Sequence, residues 1–292
     1  MKFSFSTEVV DLNNQAPNRN KRESKYYWDE LYRLISAGGF QTMETPYEPK
    51  WDFGGRSGIP RTLRSVNIKS GSVRNYVAEL QATGLNGISC IHLDPSLFCS
   101  GMVEMYFGAY DHYAREAIEF AKQAGAETVT LTVTPCFYAV CNLMTDREGS
   151  EALFLEKTAE LINTLAAEAE KANVKLCLKN EYWGLLRGEK ILPFIKGLQN
   201  NVYLDIDTAH LRIAGVDVAA FIAQNKDRIG IVHFTDTAFT DDQDAYLQAL
   251  PEFPAKAATK VICDIGEGNV DFQAVLSALK AAGYDGTIVC NC

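Results

Sequence analysis

Short apolar runs alternate with amphipathic segments of helical period along the whole chain. Runs at Lys2–Ser6, Phe40–Glu44, Gly87–Leu93, Thr128–Val133, Val174–Lys179, Val202–Ile206, Ile229–Phe234 and Thr287–Cys290 have the length of buried strands. Between them, Ser24–Ala37 sets Tyr27, Leu31, Leu34 and Ile35 on one face and stops at Gly38-Gly39. Val73–Leu85, Tyr110–Ala124, Glu151–Ala172, Ile191–Leu198, Val216–Gln224 and Val270–Ala281 read as further helices. Such alternation implies parallel strands, and eight units favour a closed (β/α)8 ring over an open doubly wound sheet. No G-x-G-x-x-G follows the first strand, which removes the main support for the open sheet and for a nucleotide cofactor. Two connections, Thr45–Gly71 and Thr235–Thr259, are long enough to serve as lids or walls.

Composition narrows the class further. A chain of 292 residues fits one barrel domain over residues 1–292, with a core large enough to need no staples. The net charge of −9 argues against a nucleic-acid backbone as partner. No apolar run is long enough for a membrane span, and the N-terminal residues lack the apolar core of a signal peptide. The eight cysteines form no C-x-x-C pair and read as free thiols, which places the protein in the cytoplasm. Only Cys290-Asn291-Cys292 has a metal-binding look.

In a parallel barrel the reactive groups stand at the C-terminal ends of the strands. Those ends carry Glu44, His92 with Asp94, Thr134, Lys179 with Glu181, Asp207 with His210, His233 with Asp236, and Asn291. Three of the four histidines fall there; His112 falls within a helix. Asp207-Thr-Ala-His210 and His233-Phe-Thr-Asp236 follow adjacent strands, so their side chains can converge on a divalent ion or form a hydrogen-bonded rim without one. In the loop after the second strand, Tyr47, Trp51 and Phe53 lie beside Arg56, Arg61 and Arg64. These either stack on a sugar ring and bind an anion or pack among themselves. Trp183 is placed to wall the same pocket, and Gly266-Glu267-Gly268 reads as a turn before the last helix.

The segments LCLKNEYWG, LDIDTAHLRIAGVD, RIGIVHFTD and IGEGNVDFQAVLSALKAAGYDGTIV resemble the xylose-isomerase-like TIM barrels, the sugar phosphate isomerase/epimerase group. The resemblance implies a TIM barrel, here lacking or shortening its final helix because the sequence stops at Cys292. It also implies a divalent ion (Mn, Mg, Zn or Co) held by Glu, Asp, His and Glu on strands five to eight. Asp207 and His233 match the Asp and His, and His210 matches a histidine that faces substrate. Lys179 and Asn291 stand where the two glutamates are expected, a change of about +3 in local charge that opposes a divalent ion. Glu181, two residues on and on the same strand face, is the remaining oxygen ligand.

The function this implies is proton abstraction next to a carbonyl of a small sugar or polyol, as in an isomerase, epimerase or keto-sugar lyase. Glu181 is then the base, His210 the acid or orienting group, and Lys179 or a metal on Asp207, His233 and Glu181 the electrophile. Glu44, Trp51, His92, Trp183 and Asp236 are the expected substrate contacts. The alternatives are a Schiff-base enzyme using Lys179 and a catalytically inactive barrel that binds a sugar or partner. A homo-oligomer is allowed and not required.

Overall fold

The computed structural model describes residues 1–10, 23–55, 58–99, 101–144, 149–199, 201–249 and 261–291, without the side chains of 53–55. Eight parallel strands close in sequence order: β1 (Lys2–Ser6), β2 (Thr42–Pro46), β3 (Gly87–Leu93), β4 (Thr128–Thr132), β5 (Lys175–Lys179), β6 (Val202–Asp207), β7 (Ile229–Phe234) and β8 (Thr287–Cys290). β8 pairs with β1 from Lys2↔Thr287 to Phe5↔Cys290, so no strand of the ring is an edge. Four strands fall on their predicted bounds, and the other four begin or end within two residues of them.

Helices cover the barrel where the apolar period required them, and local chemistry sets their limits. Ser24 caps Lys25–Ala37 by accepting from the Tyr27 amide. The helix expected from Tyr110 begins at Val103, because the preceding turns add Tyr106 to the buried face. Within the Thr45–Gly71 connection, Leu63–Ser70 is a helix whose sparse apolar positions give no helical period; a Thr62/Ser65 capping box with Gly71 in the left-handed region defines it instead. Short helices at Phe137–Leu143 and Thr208–Ile213 follow β4 and β6 directly, and the second carries His210. Among the described residues, no helix is long and apolar enough to cross a membrane.

Alternate strand residues point into the ring. Its middle layer packs Cys90, Cys177, Ile231 and Val289 against Tyr203. The layer above is polar, and it forms the floor of the site.

Candidate functional site

Lys179 ends β5, and its side chain is only 3% exposed. Its ammonium stands 3.4 Å from Glu181 Oε1 and 3.5 Å from Asp207 Oδ2. Burial alone would favour the neutral amine, but the two carboxylates overcome it and raise the pKa well above that of a free lysine. Glu181 also accepts from His210 Nε2 at 2.5 Å and from the Thr132 hydroxyl at 3.3 Å. Burial works against its charge, yet His210 and Lys179 hold its carboxyl well below the usual range. His210 accepts the Tyr182 amide on Nδ1 at 3.0 Å, so Nε2 carries the hydrogen that faces Glu181. The Tyr182 ring stacks on the imidazole at 5.6 Å, with Trp183 in the same apolar cluster.

A second, fully buried group lies deeper in the ring. His233 meets Asp205 through Nδ1 and Glu44 through Nε2, both at 2.7 Å, and Ser6 donates to the other Glu44 oxygen at 2.9 Å. Desolvation opposes the imidazolium, but Asp205 and Glu44 overcome it and raise the His233 pKa well above normal. His92, on β3, contacts Thr132 Oγ1 at 3.0 Å and faces Glu8 Oε2 at 3.6 Å.

These contacts bring Lys179, Glu181, His210 and Asp207 together as expected, but they displace the expected metal ligands. Both ring nitrogens of His233 are engaged. Asp207 Oδ1 caps the Thr208–Ile213 helix through the amides of Ala209 and His210, while Oδ2 accepts from Thr235. Lys179 puts a fixed positive charge between Glu181 and Asp207, where an ion would have to sit. A divalent ion held by Glu181, Asp207 and His233 therefore does not fit. Among the described residues, the His, Cys, Asp and Glu groups whose ligand atoms converge are Glu8, Glu44 and His92. Asn291 follows β8, with its amide bonded to the Phe234 carbonyl at 2.9 Å.

Two expected substrate contacts are structural. Asp236 accepts from the amides of Thr237, Gly266, Gly268 and Val270, which saturates its oxygens and clasps the loop before the last helix. That clasp bears out Gly266-Glu267-Gly268 as a turn. Trp51 is 4% exposed and belongs to the main core, with its indole N–H on Glu48. Arg61 is equally buried, bonds Thr7 and faces the Glu48 carboxylate at 3.5 Å, so its charge is used within the protein, whereas Phe53 (its side chain) and Arg56 lie outside the described residues, as does Cys292. Glu44 and His92 do reach the site. Glu8 and Asp205 were missed: Glu8 sits on a short turn after β1, and Asp205 lies inside an apolar strand, where only inward alternation with Asp207 marks it.

A polar, charge-dense floor at the C-terminal ends of eight parallel strands is the arrangement of a barrel enzyme site. The xylose isomerase-like TIM barrel model matches residues 32–292, and the chain belongs to that family. Inosose dehydratase from Salmonella typhimurium (strain LT2) is 30% identical over 135 residues, 44% of this chain and 44% of that protein. The chain thus matches less than half the length of that curated relative. Two solved structures share the fold: the IOLI protein with a zinc atom bound (16% identity, TM-score 0.68, covering 99% of this chain and 88% of that one), and D-psicose 3-epimerase from Clostridium cellulolyticum H10 (14%, 0.66, 99% and 84%).

Proposed function

We propose that the protein is an enzyme that removes a proton next to the carbonyl of a small keto-sugar or keto-polyol, leading to epimerisation or loss of water. The observation that carries this reading is the Lys179 ammonium held 3.4 Å from the Glu181 carboxylate in a buried site. A carbonyl oxygen placed on Lys179 gains a positive charge that stabilises the developing enolate. Beside His210, Lys179 is one of the groups that depress Glu181, so drawing the ammonium toward that oxygen makes the carboxylate a stronger base as substrate binds. Glu181, once it carries the abstracted proton, can return it to a departing hydroxyl, with the Nε2–H of neutral His210 positioning the carboxyl. Family membership and the match to inosose dehydratase support the sugar or polyol class.

A Schiff base on Lys179 is the weaker reading. An amine nucleophile needs a lowered pKa, and Glu181 and Asp207 raise this one. The test is exchange of the proton next to the carbonyl, followed by NMR in heavy water with ketohexoses and keto-inositols. Exchange should occur with the native chain and fall by about 10²–10⁴ in Glu181→Gln. Borohydride trapping of a sugar on Lys179 would establish the Schiff base instead. Neither exchange nor trapping would leave a binding barrel without activity.

A further inference from the structure

The polar floor is closed over. Lys179, Glu181, Asp207 and His210 are each at most 8% exposed, so a sugar touches them only after something above them moves. The cover over the end of β6, where Asp207 and His210 stand, comes from the strands on either side. From the loop after β5, Tyr182 stacks on the His210 ring, and Trp183 joins the same apolar cluster. From the loop after β7, Phe239 lies 6.1 Å from the Tyr182 ring, and Tyr246 packs into that cluster too.

The two loops are tied to each other. Arg187 Nη1 meets the buried carboxylate of Asp241 at 3.1 Å, and its guanidinium lies 4.0 Å from the centre of the Tyr246 ring. Asp241 also accepts from the amides of Ala245 and Tyr246, at 2.6 and 3.4 Å, so one carboxylate gathers the whole turn. Because β6 lies between β5 and β7 in the ring, this tie is an arch over the β6 end.

The arch is built to move. Its apolar residues form a cluster separate from the main core, so lifting it leaves the barrel packed. Asp244 holds φ at 51°, a left-handed conformation that carries strain in a residue other than glycine. A cleft of about 570 Å³ between Arg187, Tyr246, Val216 and Asp217 leaves the arch without packed protein on that side. At its foot, the four amides on Asp236 hold the chain in place.

We propose that residues 238–247 form a gate over Glu181 and His210, latched shut by Arg187 on Asp241, and that substrate enters when this ion pair opens. The gate serves any small polar ligand of this floor, whatever reaction follows.

Carbethoxylation of the histidines by diethyl pyrocarbonate, mapped by mass spectrometry on the full chain, tests the gate without a substrate. His112 is exposed, and His233 is sealed with both ring nitrogens engaged, so the two bracket the scale. In the native chain His210 should react at least about tenfold more slowly than His112. Arg187→Gln and Asp241→Asn leave the Glu181 and Tyr182 contacts of His210 in place, so they change access alone. Each should speed His210 by at least about tenfold, with His112 and His233 unchanged. A native His210 that reacts as fast as His112 overturns the proposal, because the site then stands open. An unchanged His210 rate in either variant overturns it, because the ion pair is then no latch. A parallel rise at His233 also overturns it, since the whole barrel would then be loosened.

Discussion

Replacing Lys179 by Met removes the ammonium and keeps most of the side-chain volume, so it isolates the charge. At 3.4–3.5 Å from Glu181 and Asp207, each contact has a Coulomb energy of about 5 kcal/mol at an effective dielectric near 20. Desolvation of three buried ions offsets much of this, and deletion of one partner of a buried pair costs about 3–5 kcal/mol. For a chain of this size that corresponds to a melting temperature lower by roughly 5–8 °C. Urea denaturation followed by circular dichroism measures it directly. The double variant Lys179→Met/Glu181→Gln removes one of the stranded charges and should recover part of the loss. A cost under about 1 kcal/mol, the range of exposed ion pairs, would refute the reasoning, because solvent would then be screening the site.

Other expected outcomes follow from the same contacts. Stability should be greatest between about pH 4.5 and 6.5, the ordinary values of the carboxylates and imidazole concerned. Glu44 and Glu181 are depressed, so their contribution is full above 4.5 and lost as pH falls through the folded values; His233, with a carboxylate on each ring nitrogen, is raised, so its contribution is full below 6.5 and lost as pH rises through the folded value. Melting curves across pH 2–10 check this (roughly the span over which these groups titrate). At Gly268 an added Cβ would lie 2.2 Å from Asp236 Oδ1, so Gly268→Ala should destabilise by about 1–3 kcal/mol, read by urea unfolding. Asp236→Ala should do likewise by freeing four amides, whereas a substrate-binding role would lower activity without lowering stability.

The barrel was legible because buried parallel strands announce themselves as apolar runs and their ends as polar residues. The cluster of Lys179, Glu181, Asp207 and His210 followed from that placement alone. What stayed hidden was pairing across the ring. Nothing near His233 in the chain shows that Glu44, almost two hundred residues earlier, takes its Nε2, nor that Asp205 turns inward beside it. Resemblance made His233 a metal ligand; its two carboxylate partners make it a buried ionic bridge. Asp236 misled for a related reason: a carboxylate at a strand end signals chemistry, but here four backbone amides occupy it.

The β1–β8 seam bears on how the molecule is made. The strand laid down first finds one of its two neighbours only when residues 287–290 have left the ribosome. Until then the nascent chain carries an open flank on β1 and another on β7, the kind of unpaired backbone that recruits other chains. Ring closure also brings together residues at nearly the greatest sequence separation available, a slow step in a topology already rich in non-local contacts. Yield in cells should therefore depend on holdase chaperones during synthesis, and variants that weaken β8 should aggregate on the ribosome before they lose stability in the test tube.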